Sequence, residues 1–208
     1  MYLYGASGHG KVVAEIAIEN GISVDGFIDR NKAIKTCLGF PVSDEMPLET
    51  KEIFISIGNN QTRKKIAQTL CENQFLNLIH PKSIISKSAN LGAGTVVMAG
   101  ATINAETKIG KHCIINTNSS IDHDCVIEDF VHISPNVALA GNVKIGEGTH
   151  IGIGACVIQG IKIGKWATVG AGAVIIKDVP DYAVVVGNPG KILKMNNLQK
   201  KIGGGKTS

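Results

Sequence analysis

The residues best suited to chemistry in this chain lie in the segment Ile121-Asp122-His123-Asp124-Cys125-Val126. A histidine titrates near neutrality, so His123 is suited by type to act as a general base. The adjoining Asp124 can raise its basicity or fix its tautomer. A lone surface histidine beside an acid is common, so the pair needs support from its surroundings. Two further histidines, His132 and His150, stand 18 residues apart, and His132 follows His123 by nine.

A second constellation sits at the N-terminus, where Tyr2-Leu3-Tyr4 runs into Gly5-Ala6-Ser7-Gly8-His9-Gly10-Lys11. The spacing approaches that of a nucleoside triphosphate loop, but Val12 stands where a Ser or Thr hydroxyl would hold magnesium. The dinucleotide fingerprint is also missing, because the glycines run G-x-x-G-x-G. What remains is a strand, a glycine turn and a helix N-terminus, which suits a phosphate through free backbone N–H groups and the helix dipole. Asp29, at the end of the next strand, is placed like the carboxylates that bind ribose or base groups at the edge of parallel sheets.

The elements that position these residues follow from periodicity. Stepping by six from Ile85 gives Leu91, Val97, Ile103 and onward to Val169 and Ile175, and sixteen of sixteen such positions are Leu, Ile or Val. Chance would produce this on the order of 10⁻⁹ of the time in one frame. Four positions after each aliphatic stands a residue that is small or β-branched, such as Ala101, Cys125 or Thr149. A period of six is a short strand plus a sharp corner, and such coils bury their inner faces only by stacking into a solenoid. Cys125 then points inward and is excluded as a nucleophile. His123, two positions after inward Ile121, lies at a corner and faces out.

The first eighty residues alternate instead. Strands are expected at Tyr2–Tyr4, Val24–Ile28, Ile53–Ile57 and Phe75–Ile79, with helices over Lys11–Asn20 and Gln61–Asn73. That order implies a parallel sheet with ligands at its carboxyl edge. The organisation expected is an α/β unit over 1–80, a solenoid over 81–195 and a frayed tail over 196–208 containing Gly203-Gly204-Gly205.

Composition narrows the function classes. Aromatic residues are 4% and charged residues 18% of the 208, which excludes a disordered or coiled-coil chain. Five of the 21 basic residues (Lys191, Lys194, Lys200, Lys201, Lys206) fall in the last 18 positions and the others are scattered. No basic stripe with stacking aromatics marks a nucleic-acid binder. No apolar run is long enough to span a membrane, and Met1-Tyr2-Leu3-Tyr4-Gly5, with no basic region before a hydrophobic one, is not expected to be a signal peptide. The five cysteines form no C-x-x-C pair, which points to free thiols in the reducing cytoplasm.

The hexads resemble the hexapeptide-repeat family, whose left-handed parallel β-helix has three hexads per coil and whose members are mostly acyltransferases. On that fold His132 and His150 stack on adjacent coils. Hexapeptide-repeat carbonic anhydrases hold a metal with three histidines, but their H-x-x-x-x-H pair is absent here, so no metal is expected. The order Gly5-Ala6-Ser7-Gly8-His9-Gly10, Ile57-Gly58-Asn59-Asn60, Asn116-Thr117-Asn118-Ser119-Ser120, His123-Asp124-Cys125 and Ala140-Gly141-Asn142 resembles one subfamily over almost the whole chain. It comprises the nucleotide-sugar acetyltransferases of the bacillosamine type, relatives of sialic acid O-acetyltransferases and perosamine N-acetyltransferases. The segment Gly187-Asn188-Pro189-Gly190-Lys191 resembles its C-terminal loop, with Gly190 where Ala is more usual.

The resemblance makes His123 the general base, with Asp124 in the place of its supporting acid, and puts Asn116 near the acceptor amine. Ser7, Gly8, His9, Asp29, Arg30, Gly58 and Asn59 would hold the nucleotide sugar, although the residue at Arg30 is often acidic in relatives. His132, Gly141, Ile153 and Ala171 would line the acetyl-CoA arm. The reaction implied is acetyl-CoA-dependent N-acetylation of the 4-amino group of a nucleotide-linked 4-amino-4,6-dideoxy sugar, with UDP favoured as the nucleotide. O-acetylation of sialic acid is the rival within the enzymes, and a non-catalytic sugar-nucleotide-binding scaffold is the rival outside them. A homotrimer with sites between subunits is expected, with outward Met98, Ile114, Val126 and Ile158 as candidates for the packed wall.

Overall fold

The computed structural model describes residues 1–47, 52–70 and 74–196. The N-terminal elements are β1 (Tyr2–Tyr4), α1 (Gly8–Glu19), β2 (Gly26–Ile28), β3 (Thr36–Cys37), β4 (Phe40–Ser43), β5 (Glu52–Ile55), α2 (Asn60–Thr69) and β6 (Gln74–Phe75). They form one sheet in the order β3-β4-β2-β1-β5-β6, parallel throughout except for the β3–β4 hairpin. The strand–helix alternation expected from the sequence is present. The hairpin was not expected, because its two strands are too short to show a period.

Helix α1 begins earlier than its apolar spacing suggests, so Gly8, His9 and Gly10 form its first turn. Two glycines make the close passage possible. Gly5 has φ +120°, in the region that favours glycine, and a Cβ on Gly10 would come within 2.2 Å of the Gly5 carbonyl oxygen. The segment expected as one strand over Phe75–Ile79 divides instead. Gln74–Phe75 completes the N-terminal sheet, and Leu78–Ile79 pairs with Val96–Val97 as the first rung of the solenoid. The remainder of the expected second helix, 71–73, and 197–208 of the expected tail lie outside the described residues.

From Leu78 to Ile175 the chain is a left-handed parallel β-helix of two-residue strands. Up to Val174–Ile175 the strands pair at a separation of 18 residues, giving three walls, and Ala183–Val186 with an antiparallel Lys191–Met195 closes the first. The first wall contains Ile114, His132 and His150, the second Ser120 and Ala138, and the third Lys108, Val126 and Lys144. The aliphatic position of every hexad from Val97 onward fills the prism and is buried. From Gly94 to Gly172 the corner residue three positions later takes positive φ, whether glycine (Gly94, Gly148) or not (His112, Asp124, Phe130).

The small inward position has a polar reason as well as a steric one. Thr95, Thr107 and Thr149 donate their hydroxyls to the carbonyls of Gly110, Asp122 and Gly164, and the Cys113 and Cys125 thiols do the same to Glu128 and Ala140. Each bond spans 15 residues, so a corner carbonyl that no strand can satisfy finds its donor from the coil before it.

The α/β unit packs on the first wall. Leu78, Val96, Met98 and Ile114 join the core beneath α1, with Val13, Ala14 and Ile16. Two of the four residues expected on an intersubunit wall, Met98 and Ile114, are therefore covered by the chain's own helix. The pattern showed only that they leave the prism, and the α/β unit arrives from too far away in sequence to be seen. Val126 and Ile158 remain exposed. The solenoid core sets an energetic expectation. Ile133 is fully buried, so Ile133→Ala should cost about 2–5 kcal/mol in urea unfolding; a loss below about 1 kcal/mol would show that the coils relax around the cavity.

Candidate active site

His123 lies in the corner between the second and third walls, after strand Ser120–Ile121 and before Val126–Ile127. Its side chain is 59% exposed. Nδ1 is 2.7 Å from Asp124 Oδ2, which holds the proton on Nδ1 and leaves Nε2 as the free lone pair. Asp122 Oδ1 accepts from the His123 backbone N–H at 2.8 Å and from Asn104 Nδ2 at 2.9 Å, while its Oδ2 stands 4.0 Å from Nε2. The hydrogen bond to Asp124, followed by the charge of Asp122, raises the His123 pKa above the usual histidine value. On the next coil Gly141 lies directly under the ring, where a Cβ would fall 2.6 Å from His123 Cε1. Gly141 thus belongs with the base corner rather than with the wall that carries His132.

His132 and His150 project from the first wall as a parallel stack, ring centroids 4.8 Å apart and 3° from coplanar, as their 18-residue spacing required. Asn116 Oδ1 accepts from Thr117 N at 2.8 Å, which turns its amide nitrogen to His132 Nε2 at 3.1 Å. An amide NH₂ only donates, so Nε2 is the acceptor and His132 is neutral with its proton on Nδ1. Burial, then the neighbouring His150, Arg63 and His9, push its pKa down to about 2. His150 Nε2 is 2.8 Å from Ser134 Oγ. Ile153 and Ala171 lie 18 apart in the following corner, both exposed.

The nucleotide-edge residues lie along the carboxyl ends of the parallel strands. Ser7 is the N-cap residue of α1, and His9 in its first turn has its pKa lowered to about 4 by burial and by Arg63. Asp29 is committed to the backbone: Oδ2 accepts from Ala6 N and Oδ1 from Asn31 N, both at 2.9 Å. It braces the glycine turn. Asn59 caps α2 by accepting from Thr62 N. Asp29 and Arg30, with Tyr4, Ile57, Thr62 and Lys65, line a cavity of about 340 Å³. A second cavity, about 420 Å³, lies where this edge meets the solenoid, lined by Gly58, Asn59, Asn60, His150, Trp166 and Thr168 among others. Among the described residues no three His, Cys, Asp or Glu side chains converge as metal ligands.

Apart from Ile153 and Ala171 in the corner after the first wall, the expected site residues fall into two groups. The nucleotide edge meets His132, Asn116 and His150 on the first wall. His123, Asp124 and Gly141 occupy the prism edge opposite that wall.

The residue that sequence reasoning missed is Arg63. It is 1% exposed. Its guanidinium donates to five acceptors: His112 O, Ile57 O, Gly58 O, Phe130 O and Asn60 Oδ1, at 2.8–3.2 Å. Asn60 in turn donates to Gly148 O and Thr149 O. A charged residue in an expected helix reads as solvated surface, and only the spacing of Asn60 and Arg63 as one helical turn hinted otherwise.

A strand–helix unit with a phosphate-suited edge, set on a hexapeptide solenoid that displays a His–Asp pair, defines the class of acyltransferases acting on nucleotide-linked substrates. Comparison makes this specific. Residues 1–70 match the PglD N-terminal domain, and residues 142–177 match the bacterial transferase hexapeptide (six repeats). A GDP-perosamine N-acetyltransferase from Caulobacter crescentus, solved with CoA and GDP-perosamine, is 38% identical with a TM-score of 0.89, over 93% of this chain and 96% of that one. The acetyltransferase domain of PglB from Neisseria gonorrhoeae, solved with acetyl coenzyme A, is 40% identical with a TM-score of 0.87, over 92% and 98%. UDP-N-acetylbacillosamine N-acetyltransferase from Bacillus subtilis is 41% identical over 108 residues, 47% of this chain and 50% of that protein. The chain thus spans about half or less of the curated relatives it matches. It belongs to the hexapeptide-repeat family of amino-sugar nucleotide N-acetyltransferases.

The two kinds of histidine should separate by titration. In NMR spectra the His123 ring should titrate above its ordinary value near 6.5, and Asp124→Asn should lower that midpoint. His132 should stay neutral between about pH 5 and 9. A His132 midpoint near that of free histidine would contradict its assigned hydrogen bonds.

Proposed function

We propose that the protein transfers the acetyl group of acetyl-CoA to the 4-amino group of a nucleoside diphosphate-linked 4-amino-4,6-dideoxy sugar, in the cytoplasm, as a homotrimer. The observation that carries this reading is the free Nε2 of His123, held ready by Asp124 at 2.7 Å on an otherwise regular solenoid. The likeness to transferases crystallised with CoA and an amino-sugar nucleotide supports it. On this reading residues 1–80 carry the nucleotide sugar and 81–195 the acetyl transfer.

The amine nitrogen attacks the thioester carbonyl directly, so no acyl-enzyme forms. As the N–C bond develops the nitrogen becomes cationic and His123 Nε2 takes its proton, a contribution of typically ~10²–10⁴-fold. The C–S bond then breaks and CoA leaves as the thiolate, to which the same proton can pass. Backbone N–H groups at the coil corners stabilise the oxyanion in between. Cys125 takes no part: it is buried with its thiol bonded to Ala140 O, and burial raises its pKa.

The position of the two groups supports a trimer. The α/β unit covers the first wall of the prism, and His123 projects from the opposite edge, so one chain presents its base away from its own nucleotide edge. Packing three chains around an axis brings the His123 corner of one against the nucleotide edge and Asn116–His132 of the next. The second wall suits such packing, since its outward row Thr102, Ser120, Ala138, Cys156 and Val174 carries no charge. Closing that cleft excludes water and strengthens every polar contact within it. The cavity beside Asp29 and Arg30 is the proposed seat of the nucleoside. The four described cysteines, Cys37, Cys113, Cys125 and Cys156, are all unpaired, which accords with a reducing compartment.

The test is release of CoA thiol with a panel of UDP-, GDP- and dTDP-linked 4-amino sugars and sialic acid as acceptors. An amino sugar nucleotide should be acetylated, and His123→Ala should lower kcat at least ~10²-fold while acetyl-CoA still binds. Acetylation of sialic acid alone would move the reaction to the hydroxyl acceptor. No release with any acceptor would leave a binding scaffold.

A further inference from the structure

We propose that Arg63 is a positioning residue for the nucleotide sugar: without touching the substrate, its fork turns two peptide units so that their N–H groups face the ligand. The proposal rests on the nucleotide-sugar reading above and deepens it.

The geometry begins with a buried cation that has no carboxylate partner among the described residues. Every donor of Arg63 is satisfied by neutral oxygens, and no described acidic side chain forms a salt bridge with it. Burial lowers its pKa to about 10, so it remains charged at neutral pH. Retaining an unpaired charge inside a protein is costly, even when its hydrogen bonds are met. A neutral side chain could anchor α2 without burying a charge, so the fork has a use beyond anchoring.

Nη1 binds two successive carbonyls, Ile57 O at 2.9 Å and Gly58 O at 3.2 Å. In a planar trans peptide the carbonyl and the following N–H point in opposite directions. Drawing the Ile57 and Gly58 carbonyls toward the guanidinium therefore sends the Gly58 and Asn59 N–H groups away from it. Neither amide has an acceptor among the described residues. Two successive N–H groups aimed the same way form an anion-binding concavity, and a Cβ on Gly58 would meet nothing within 4 Å. The turn opens into the cavity lined by Gly58, Asn59 and His150.

The other arm of the fork fixes where that turn stands on the solenoid. Nε and Nη2 reach His112 O and Phe130 O, and Asn60 reaches Gly148 O. These three carbonyls belong to the same corner in three successive coils, 18 residues apart. The turn is thereby registered against the coils that carry Asn116, His132 and His150. The Arg63 charge, after burial, also disfavours protonation of His9, His132 and His150.

The test uses the full chain and calorimetric binding of UDP, GDP and CoA. Arg63→Lys keeps the charge and loses the fork. It should weaken binding of the preferred nucleoside diphosphate at least tenfold while CoA affinity stays within threefold, a split that general loss of structure would not produce. Hydrogen exchange of the parent protein supplies a measurement that does not depend on a variant folding: UDP or GDP should slow exchange in the segment 57–60. Unchanged diphosphate affinity in a folded Arg63→Lys chain, or unprotected amides in a parent that binds diphosphate, would overturn the role of Arg63. A parent chain that binds neither diphosphate would instead overturn the functional reading, and this proposal with it.

Discussion

The arrangement depends on how α2 is fastened to the solenoid. Positive-φ corners leave carbonyls that the strand ladders do not use, and a helix laid along one ridge of the prism can supply donors to a column of them. Arg63 and Asn60 do so at His112, Phe130 and Gly148. This bonding lets a sheet of short strands dock rigidly on a smooth wall, where apolar packing by Leu78, Val96 and Ile114 alone would fix distance but not register. It also dictates the rest of the site. With the α/β unit held on the first wall, the nucleotide edge faces His132 and Asn116 and lies across the prism from His123.

The two histidine environments push the rings to opposite protonation states. His123 is exposed between two carboxylates, so its charged form is favoured and its pKa rises. His132 is buried against a second imidazole and near a guanidinium, so its charged form is excluded. The first can take a proton near neutral pH. The second can only hold a fixed hydrogen-bonding pattern, with Nε2 accepting from Asn116. Pairs of titratable groups pushed apart in this way are a common route to divided labour in a site.

Much of this was legible in the sequence. The six-residue period defines the solenoid because every coil repeats the same burial demand, and the stack of His132 on His150 follows once the family resemblance supplies three hexads per coil. The strand–turn–helix at Gly5–Gly10 was legible because close passage admits only glycine at Gly10. What stayed hidden depends on contacts between distant segments. The burial of Met98 and Ile114, the service of Asp29 and Asn59 to nearby backbone, and the lodging of Gly141 beneath the His123 ring all require knowing which surface meets which. Arg63 is the extreme case, since a buried arginine bonded only to oxygens of neutral groups leaves no opposite charge in the sequence to reveal it.

The central claim is that the base of one chain serves the nucleotide edge of another. Mixing chains tests it most directly: His123→Ala, which keeps its nucleotide edge, is unfolded and refolded with a chain carrying Gly58→Trp, which fills the cavity at that edge and keeps the base. Random assembly of two inactive parents into trimers with sites between neighbours should restore about a quarter of the parental activity per site. Mixed trimers that assemble and remain inactive would contradict the shared site and place both halves of the chemistry within one chain.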